Sequence, residues 1–290
     1  MQEFLTTNEV AQLLRIKERK VYDLASSGVL PCSKAIGKLL FPRDQIDAWI
    51  ARNSENVVPT LPKRPLVFLG SHDPVLEWAL RESQCGLAML FDGSSDGLSR
   101  FANHEGIAAG LHIRNDKGDD WNIEAVTKAC VHAPVVLIEW AKRQRGLMLS
   151  PNVAKKVQSL KDIAGLHVVP RQSNAGSQQL LLRLMHEAQL TEESVQFIDT
   201  ARTETDVAEA INHKQADVGF GLQSIAESSN LAFLPVIEER FDILVDRRSY
   251  FEDPMQRLLT FCNSSKFLNR ATAVSGYNCE NLGTVHFIGA

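Results

Sequence analysis

The sequence lacks a hydrophobic run of the ~18 residues that a membrane-spanning helix requires, so we expect no membrane contact. Its N-terminus has no basic patch ahead of an apolar stretch and predicts no secretory signal.

The chain has only five cysteines, which lie far apart and form no Cys-x-x-Cys pair: Cys32, Cys85, Cys130, Cys262 and Cys279. Scattered thiols in odd number argue against a disulfide framework and a structural zinc site, and they indicate a cytoplasmic protein.

The motifs of common catalytic centres are also missing. The sequence contains no Gly-x-Ser-x-Gly elbow, no P-loop and no His-Glu-x-x-His. The pairs His104-Glu105 and His186-Glu187 lack the second histidine, and Gly219-Phe220-Gly221 lacks the third glycine of a dinucleotide loop. We therefore predict a protein that is not an enzyme, with no catalytic residues, no metal site and no cofactor.

An excess of positive charge is absent from the chain as a whole, which has a net charge of −4 and so is not a uniformly basic nucleic-acid coat. The distribution is uneven, because residues 1–65 hold ten basic and seven acidic side chains and residues 66–290 hold 21 and 28. Only this basic head would attract phosphate.

The 290 residues suggest about two domains. Residues 54–65 contain three prolines and predict a linker between them.

The head, residues 1–53, predicts a small winged helix-turn-helix domain. Thr7 is a suitable N-cap for a first helix whose apolar residues recur at helical spacing. A second helix is predicted over residues 17–26 and ends at a glycine. A short hairpin with a glycine turn follows at 35–42, and a third helix at 43–51.

The order of motifs in the head resembles the excisionase-type branch of the MerR-like helix-turn-helix domains. The resemblance rests on Leu5-Thr6-Thr7-Asn8-Glu9-Val10-Ala11-Gln12-Leu13-Leu14, Val21-Tyr22, Gly28-Val29-Leu30-Pro31 and Gly37. One departure is Arg15, where these domains often have Gly. The resemblance implies that the second helix enters the major groove of double-stranded DNA and that the wing contacts phosphate. It assigns DNA contacts to Lys17, Arg19, Lys20, Tyr22, Lys34 and Lys38. The alternative is a solvated charged helix in a protein-binding module.

From residue 66 on, apolar runs of strand length alternate with amphipathic helical stretches, which predicts an α/β fold with mainly parallel strands. Several of these runs end in Gly, Ser or Thr just before a helix start. The carboxyl ends of parallel strands share one edge of the sheet, where free N–H groups, hydroxyls and helix N-termini bind small anions. The alternative is that these side chains only cap helices.

A series of short motifs in the body resembles a periplasmic-binding-protein-like domain that is found fused to bacterial DNA-binding heads and is related to molybdate- and tungstate-binding proteins. The motifs are Ser71-His72-Asp73, Ala109-Gly110-Leu111-His112, Arg143-Gln144-Arg145-Gly146-Leu147, Arg171-Gln172-Ser173 with Gly176-Ser177, Thr203-Glu204-Thr205 with Val207-Ala208, Ala216-Asp217-Val218-Gly219, and Gly276-Tyr277 with Gly283. The family often reads Gly-Ser-Gly-Thr-Arg after the Arg-Gln pair at 171–172, and this chain lacks that arginine.

The resemblance implies a bilobed, type II binding domain over residues 66–290 that closes on its ligand by a hinge. Lobe one would comprise residues 66–143 and 243–290, and lobe two residues 144–242. The predicted ligand contacts are, in order of preference, Ser71, Ser94, Ser95, Ser173 and Ser177, then Thr203, Arg171 and Tyr277. His72 and His112 could donate to an anion, or they could be satisfied polar groups near the sheet edge.

These observations predict a one-component bacterial transcription regulator. The head would bind an operator, and the body would bind a small oxyanion, such as molybdate or tungstate, or a small anionic metabolite. A regulator that senses an organic sulfonate or another organic small molecule is an alternative. Because one small head contacts few base pairs, we expect a homodimer or homotetramer. A ligand-independent, excisionase-like DNA-architectural factor and a binding-protein-like biosynthetic enzyme are the rival hypotheses.

Overall fold

The computed structural model describes residues 4–35, 37–53, 63–115, 117–118, 120–173 and 175–290. The chain divides into two compact units, Met1–Lys63 and Arg64–Ala290. Most of the predicted linker, residues 54–62, and Asn174 of the ligand motif lie outside the described residues. Within the described ranges, no helix is long and apolar enough to cross a membrane.

The first unit is a three-helix domain with a small antiparallel sheet in the order β1-β3-β2. Its elements are β1 Phe4–Leu5, α1 Thr7–Leu14, α2 Glu18–Ser26, β2 Ser33–Ala35, β3 Lys38–Pro42 and α3 Arg43–Asn53. A compact core holds the helices on the sheet, with Val10, Val21, Phe41 and Ile46 fully buried. The predicted helix and hairpin order is present.

The N-cap of α1 is Thr6, so the assignment of the cap to Thr7 is wrong by one residue. The Thr6 hydroxyl accepts from the Glu9 N–H, and the Glu9 carboxylate accepts from the Thr6 N–H, which forms a capping box. Thr7 is instead the first helical residue and is buried. This reciprocal pairing fixes where α1 begins.

Arg15 ends α1 in the left-handed conformation, with φ of 53°. A side chain with a Cβ is strained there, and glycine is not. We expect Arg15→Gly to stabilise the head by about 0.5–1 kcal/mol, read by amide hydrogen exchange of α1 and α2. The matched control is Gly28→Ala, because Gly28 has φ of 73° and open space around its missing Cβ, and it should destabilise by about 1 kcal/mol. Amide exchange that is slower than in the parent protein in both variants, or in neither variant, would contradict the strain argument.

The second unit contains one mixed sheet of ten described strands, rather than a mainly parallel one. The order is β5-β4-β6-β11-β7-β10-β8-β9, and β12 and β13 also pair with β7. The elements of its first half are β4 Val67–Gly70, α4 Pro74–Glu82, β5 Ala88–Leu90, α5 Ser94–Ala102, β6 Ala108–Leu111, α6 Ile123–Ala129, β7 Val135–Leu149, a 3₁₀ turn Leu160–Ile163, β8 His167–Val169 and α7 Gly176–Glu187. Then follow a 3₁₀ turn Glu192–Ser194, β9 Gln196–Phe197, α8 Glu204–Asn212, β10 Val218–Leu222, α9 Gln223–Ser228, β11 Ala232–Asp246, α10 Arg247–Tyr250, α11 Asp253–Cys262, α12 Ser265–Thr272, β12 Tyr277–Asn278 and β13 Val285–Ile288.

Two long antiparallel strands, β7 and β11, run through both lobes. Parallel pairing occurs on either side of them, β5-β4-β6 in one lobe and β10-β8-β9 in the other. The cores separate in the same way, since Phe68 and Trp140 belong to one set of buried residues and Leu147 and Phe220 to another. The lobe boundaries predicted above fall within these two strands. β7 and β11 therefore connect the two lobes through the centre of the sheet.

The body begins earlier than predicted, because Arg64 packs into it rather than belonging to a linker. Its Nη1 donates to the carbonyl oxygens of Phe101 and Gly106, its Nε lies 3.4 Å from Asp246 Oδ1, and its guanidinium stacks over the Phe101 ring. The side chain is buried. This contact anchors the start of the second unit.

Candidate functional site

A cavity of about 700 Å³ lies between the two lobes. Lobe one contributes the loops after β4, β5 and β6, and lobe two the loops after β8, β9 and β10. Open α/β sheets bind ligands at such carboxyl edges. The cavity therefore lies where the strand-end argument predicts a ligand.

Two helices from opposite lobes point uncapped N-termini at this cavity. α5 begins after Gly93 and α7 after Ala175, and neither N-cap residue supplies a side-chain hydrogen bond. Both N-cap residues line the cavity. In contrast, Asp73 caps α4 and Thr203 caps α8. The first-turn N–H groups of α5 and α7 are therefore available to an anion.

The structure brings six of the ten predicted ligand residues to the cavity wall: Ser71, His72, His112, Arg171, Ser177 and Thr203. Ser71 and Ser177 are each only 4% exposed. The Ser177 hydroxyl, at the start of α7, makes no hydrogen bond with a described residue. Thr203 is the N-cap of α8, and its hydroxyl accepts from the Asp206 N–H. Here the capping and binding interpretations both apply to one side chain.

The other four predicted contacts do not line the cavity. Ser94 is fully buried, where its hydroxyl pairs with Ser71 Oγ at 2.8 Å and accepts from the His112 N–H. Ser94 therefore positions two residues of the wall. Tyr277 is held away by Asp73, to which its hydroxyl donates at 2.8 Å. Ser95 and Ser173 are not among the residues that line the wall.

Arg171 supplies positive charge to the wall from lobe two. Its Nη2 donates to the Arg202 carbonyl oxygen, and its Nε is buried without a hydrogen-bond partner among the described residues. Burial lowers the pKa of this guanidinium, with Glu204 opposing the shift, but an arginine stays charged at neutral pH. Arg202 lines the same wall. This side of the cavity can compensate an anionic group.

His112 is a neutral residue of the wall. It is 5% exposed, and burial lowers the pKa of its imidazole by more than the Glu239 carboxylate raises it. Nδ1 lies 3.0 Å from Glu239 Oε2, a carboxylate oxygen that can only accept a hydrogen bond. Its ring edge faces Gly176, where an added Cβ would approach Cε1 to 2.8 Å. Because these residues lie on opposite lobes, His112 and Gly176 form a contact across the cleft.

Below the cavity lies a buried chain of alternating charges that the sequence argument missed. Arg143 pairs with Asp73 and Glu239, and Arg145 pairs with Glu239 and Glu204. The Arg145 Nε to Glu239 Oε2 distance is 2.9 Å, and the Arg145 Nη1 to Glu204 Oε1 distance is 2.6 Å. Burial opposes ionisation of Glu239, but the two guanidinium groups outweigh it and lower the pKa of this carboxyl well below its usual range.

The chain of charges joins the lobes through the two crossing strands. Arg143 and Arg145 lie on β7 and Glu239 on β11, while Asp73 caps α4 of lobe one and Glu204 begins α8 of lobe two. The available signal was that two arginines stand at alternate positions of β7, between the apolar runs at its two ends. Such side chains are buried only when they are paired.

In the head, the six predicted DNA-contact residues are all exposed. None of them makes a side-chain hydrogen bond or ion pair within the described part of the chain. Lys17 is the N-cap residue of α2, Arg19, Lys20 and Tyr22 lie on that helix, and Lys34 and Lys38 lie on the β2-β3 hairpin. Val21 and Ala25 form the buried face of the same helix. The exposed face is therefore free for phosphate and base contacts.

Comparison with known families identifies both parts of the chain. Residues 4–54 match the Helix-turn-helix domain, and residues 77–263, more than half of the chain, match the PBP superfamily domain. The chain belongs to the PBP superfamily. This PBP-superfamily protein therefore combines a DNA-binding helix-turn-helix with a PBP-like ligand domain, a combination typical of non-enzymatic regulators, and both predicted domain types are confirmed.

One relative of this PBP-superfamily protein is Uncharacterized protein YvgK of Bacillus subtilis (strain 168), which is 24% identical over 302 residues covering 97% of this chain and 96% of YvgK. The tungstate ABC transporter from Geobacter sulfurreducens is 12% identical, with a TM-score of 0.53, over 72% of this chain and 98% of that chain. A putative phosphate ABC transporter substrate-binding protein with bound phosphate from Clostridium perfringens is 14% identical, with a TM-score of 0.52, over 73% and 98%. These two structures show the fold alone. No cluster of metal-ligating side chains occurs among the residues described.

Proposed function

We propose that the protein is a one-component transcription regulator whose head binds a double-stranded DNA operator and whose cleft binds a small anionic effector. The observation that carries the effector half is the convergence of the uncapped α5 and α7 N-termini on one cavity. Each helix end offers N–H donors and a partial positive charge, which bind an anion even in an acidic domain.

Neighbouring side chains support the same function. The hydroxyls of Ser71 and Ser177 and the guanidinium of Arg171 add donors around the two helix ends. The two structural neighbours carry tungstate and phosphate in their names, and this is consistent with an oxyanion as one class of effector. Molybdate, tungstate and small organic anions are therefore the first candidates.

Regulation requires that the effector favour one arrangement of the protein over another. An anion between α5 and α7 would contact both lobes and would favour their closed arrangement. We propose that this closure changes the spacing of heads in a homodimer or homotetramer, because a single helix-turn-helix contacts only part of one DNA face.

The decisive experiment is thermal unfolding of the full chain with molybdate, tungstate, sulfate, phosphate and small organic sulfonates. An effector at 100 times its Kd should stabilise the body by about 2.7 kcal/mol. The same anion should then change operator affinity in a mobility-shift assay. If the head binds DNA but no anion alters either measurement, the ligand-independent architectural factor is the better description.

Gly176 provides a direct test of lobe closure. Gly176→Ala would place a Cβ 2.8 Å from His112 Cε1, so the lobes could not approach as closely. We expect affinity for the strongest anion of the panel to fall at least about tenfold, because the added methyl group would hold the two lobes apart at His112. Titration calorimetry measures the change, and Ser173→Ala, on an exposed part of the same loop, is the control. Equal affinities in both variants would contradict lobe closure at this contact.

A further inference from the structure

His112 presents a lone pair, rather than an N–H, to the cavity. Its Nδ1 lies 3.0 Å from Glu239 Oε2, and because an ionised carboxylate only accepts hydrogen bonds, the ring proton belongs on Nδ1. Nε2 has no hydrogen-bond partner among the described residues and lies beside Gly176, whose added Cβ would be 3.1 Å away. A hydrogen-bond acceptor therefore lies near the α7 N-terminus, and it needs a donor from the ligand.

The mouth of the cavity offers a second acceptor. Asp92 lines the wall next to the start of α5, is exposed, and forms no ion pair with any residue that the structure describes. The other lining acids differ, since Asp96 pairs with Arg100 and Glu204 pairs with Arg145. A fully ionised oxyanion has no proton to offer either Asp92 or His112, and Asp92 would repel it.

The volume of the cavity also exceeds the needs of a bare oxyanion. About 700 Å³ lies within the range of pockets for organic ligands and would hold about 20 water molecules at roughly 30 Å³ each. A tetrahedral oxyanion, which is only a central atom and its oxygens, would leave most of this space to water. Phe91, Leu222 and Ile225 give the remaining wall an apolar component.

We infer that the effector is a small organic anion that carries a hydroxyl or ammonium group close to its anionic group. The anionic group would occupy the α5 and α7 N-termini, the donor would bind His112 Nε2 or Asp92, and the carbon skeleton would contact Phe91 and Ile225. This inference rests on the proposed function, because it specifies the chemistry of the same effector.

The test compares matched anions on the full chain by titration calorimetry and thermal unfolding. Ethanesulfonate lacks a donor, whereas 2-hydroxyethanesulfonate and 2-aminoethanesulfonate carry one at the same position. We expect a donor-bearing member to bind at least about tenfold more tightly than ethanesulfonate, molybdate or sulfate, because the unpaired acceptors penalise a ligand without a donor. The preference should fall below about twofold in His112→Phe or in Asp92→Asn, according to which of the two side chains accepts from the donor. If it falls in His112→Phe, it should return in His112→Gln, whose amide oxygen can accept. His213→Phe, at an exposed histidine at the end of α8, is the matched control.

The outcomes separate the two levels of the argument. If molybdate, tungstate or sulfate stabilises the chain as strongly as every donor-bearing anion, the inference is wrong and the anion-sensing function stands. If the preference survives in His112→Phe and in Asp92→Asn, with both variants folded by circular dichroism, these acceptors do not set it and the inference is again wrong. If none of the anions binds even at millimolar concentration, the anion-sensing function itself is contradicted.

Discussion

Glu239→Gln is expected to lower the free energy of unfolding of the body by about 3–5 kcal/mol, the cost of breaking a buried ion pair on one side only. Glu239 is completely buried between Arg143 and Arg145, which are each 1% exposed. Removing its charge leaves two guanidinium groups with only two carboxylates, those of Asp73 and Glu204 at the two ends of the charge chain. This loss is a large part of the 5–15 kcal/mol that typically stabilises a domain.

Urea unfolding followed by circular dichroism measures this loss, and the next residue on β11 supplies the control. Glu238 is exposed, and its nearest cation, Lys142, lies 3.9 Å away in the same exposed environment. Because such surface pairs contribute little, Glu238→Gln should change stability by less than about 1 kcal/mol. A loss of that small size for Glu239→Gln as well would mean that water reaches the charge chain and screens it.

The charge chain also contacts the cavity wall. Glu239 orients the imidazole of His112 at the cavity, and Glu204 both pairs with Arg145 and accepts from the Leu222 N–H on the lobe-two wall. Replacing every charged side chain of this network by an apolar one could preserve stability. It would not preserve the proton position on His112, so we expect ligand choice to depend on the charges themselves.

Local rules predicted the parts of the site that depend on short segments. Ser71 and Arg171 lie between a strand and the next helix, and Ser177 lies in the first turn of α7. This arrangement alone takes them to the shared sheet edge. The same rule could not distinguish Ser94 from a lining residue, because the rotation of α5 about its axis decides which first-turn hydroxyl faces the cavity. That rotation depends on packing against β4 and β6, not on the local sequence.

Long-range pairing was beyond these rules. Arg143 finds Asp73 across 70 residues and Glu239 across 96, so no local spacing links them. The Thr6 cap differs, because the pattern Thr6-Thr7-Asn8-Glu9 already contains the glutamate that completes a capping box. In the head, therefore, the sequence held enough information to place the helix start. In the body, the partners of buried charges required the sheet order.

The other large effect is expected at the head, where a combined Lys17→Ala, Arg19→Ala and Lys20→Ala variant should lose roughly 100-fold to 1000-fold in operator affinity near physiological salt. All three side chains are exposed at the start of α2 and have no acidic partner within the described residues. They are therefore free to displace counterions from DNA phosphates.

The salt dependence of binding distinguishes this role from general attraction to DNA. If each residue neutralises one phosphate, the slope of log affinity against log salt should fall by about 0.9 for each charge removed. The matched control removes three exposed lysines from the acidic body, Lys155, Lys156 and Lys161, and leaves the head intact. Because the body would not lie on the DNA phosphates, this control should change the slope by less than about one charge. Equal losses in the two triple variants would mean that net charge, rather than the α2 surface, governs DNA binding and would overturn the assignment of α2 as the recognition helix.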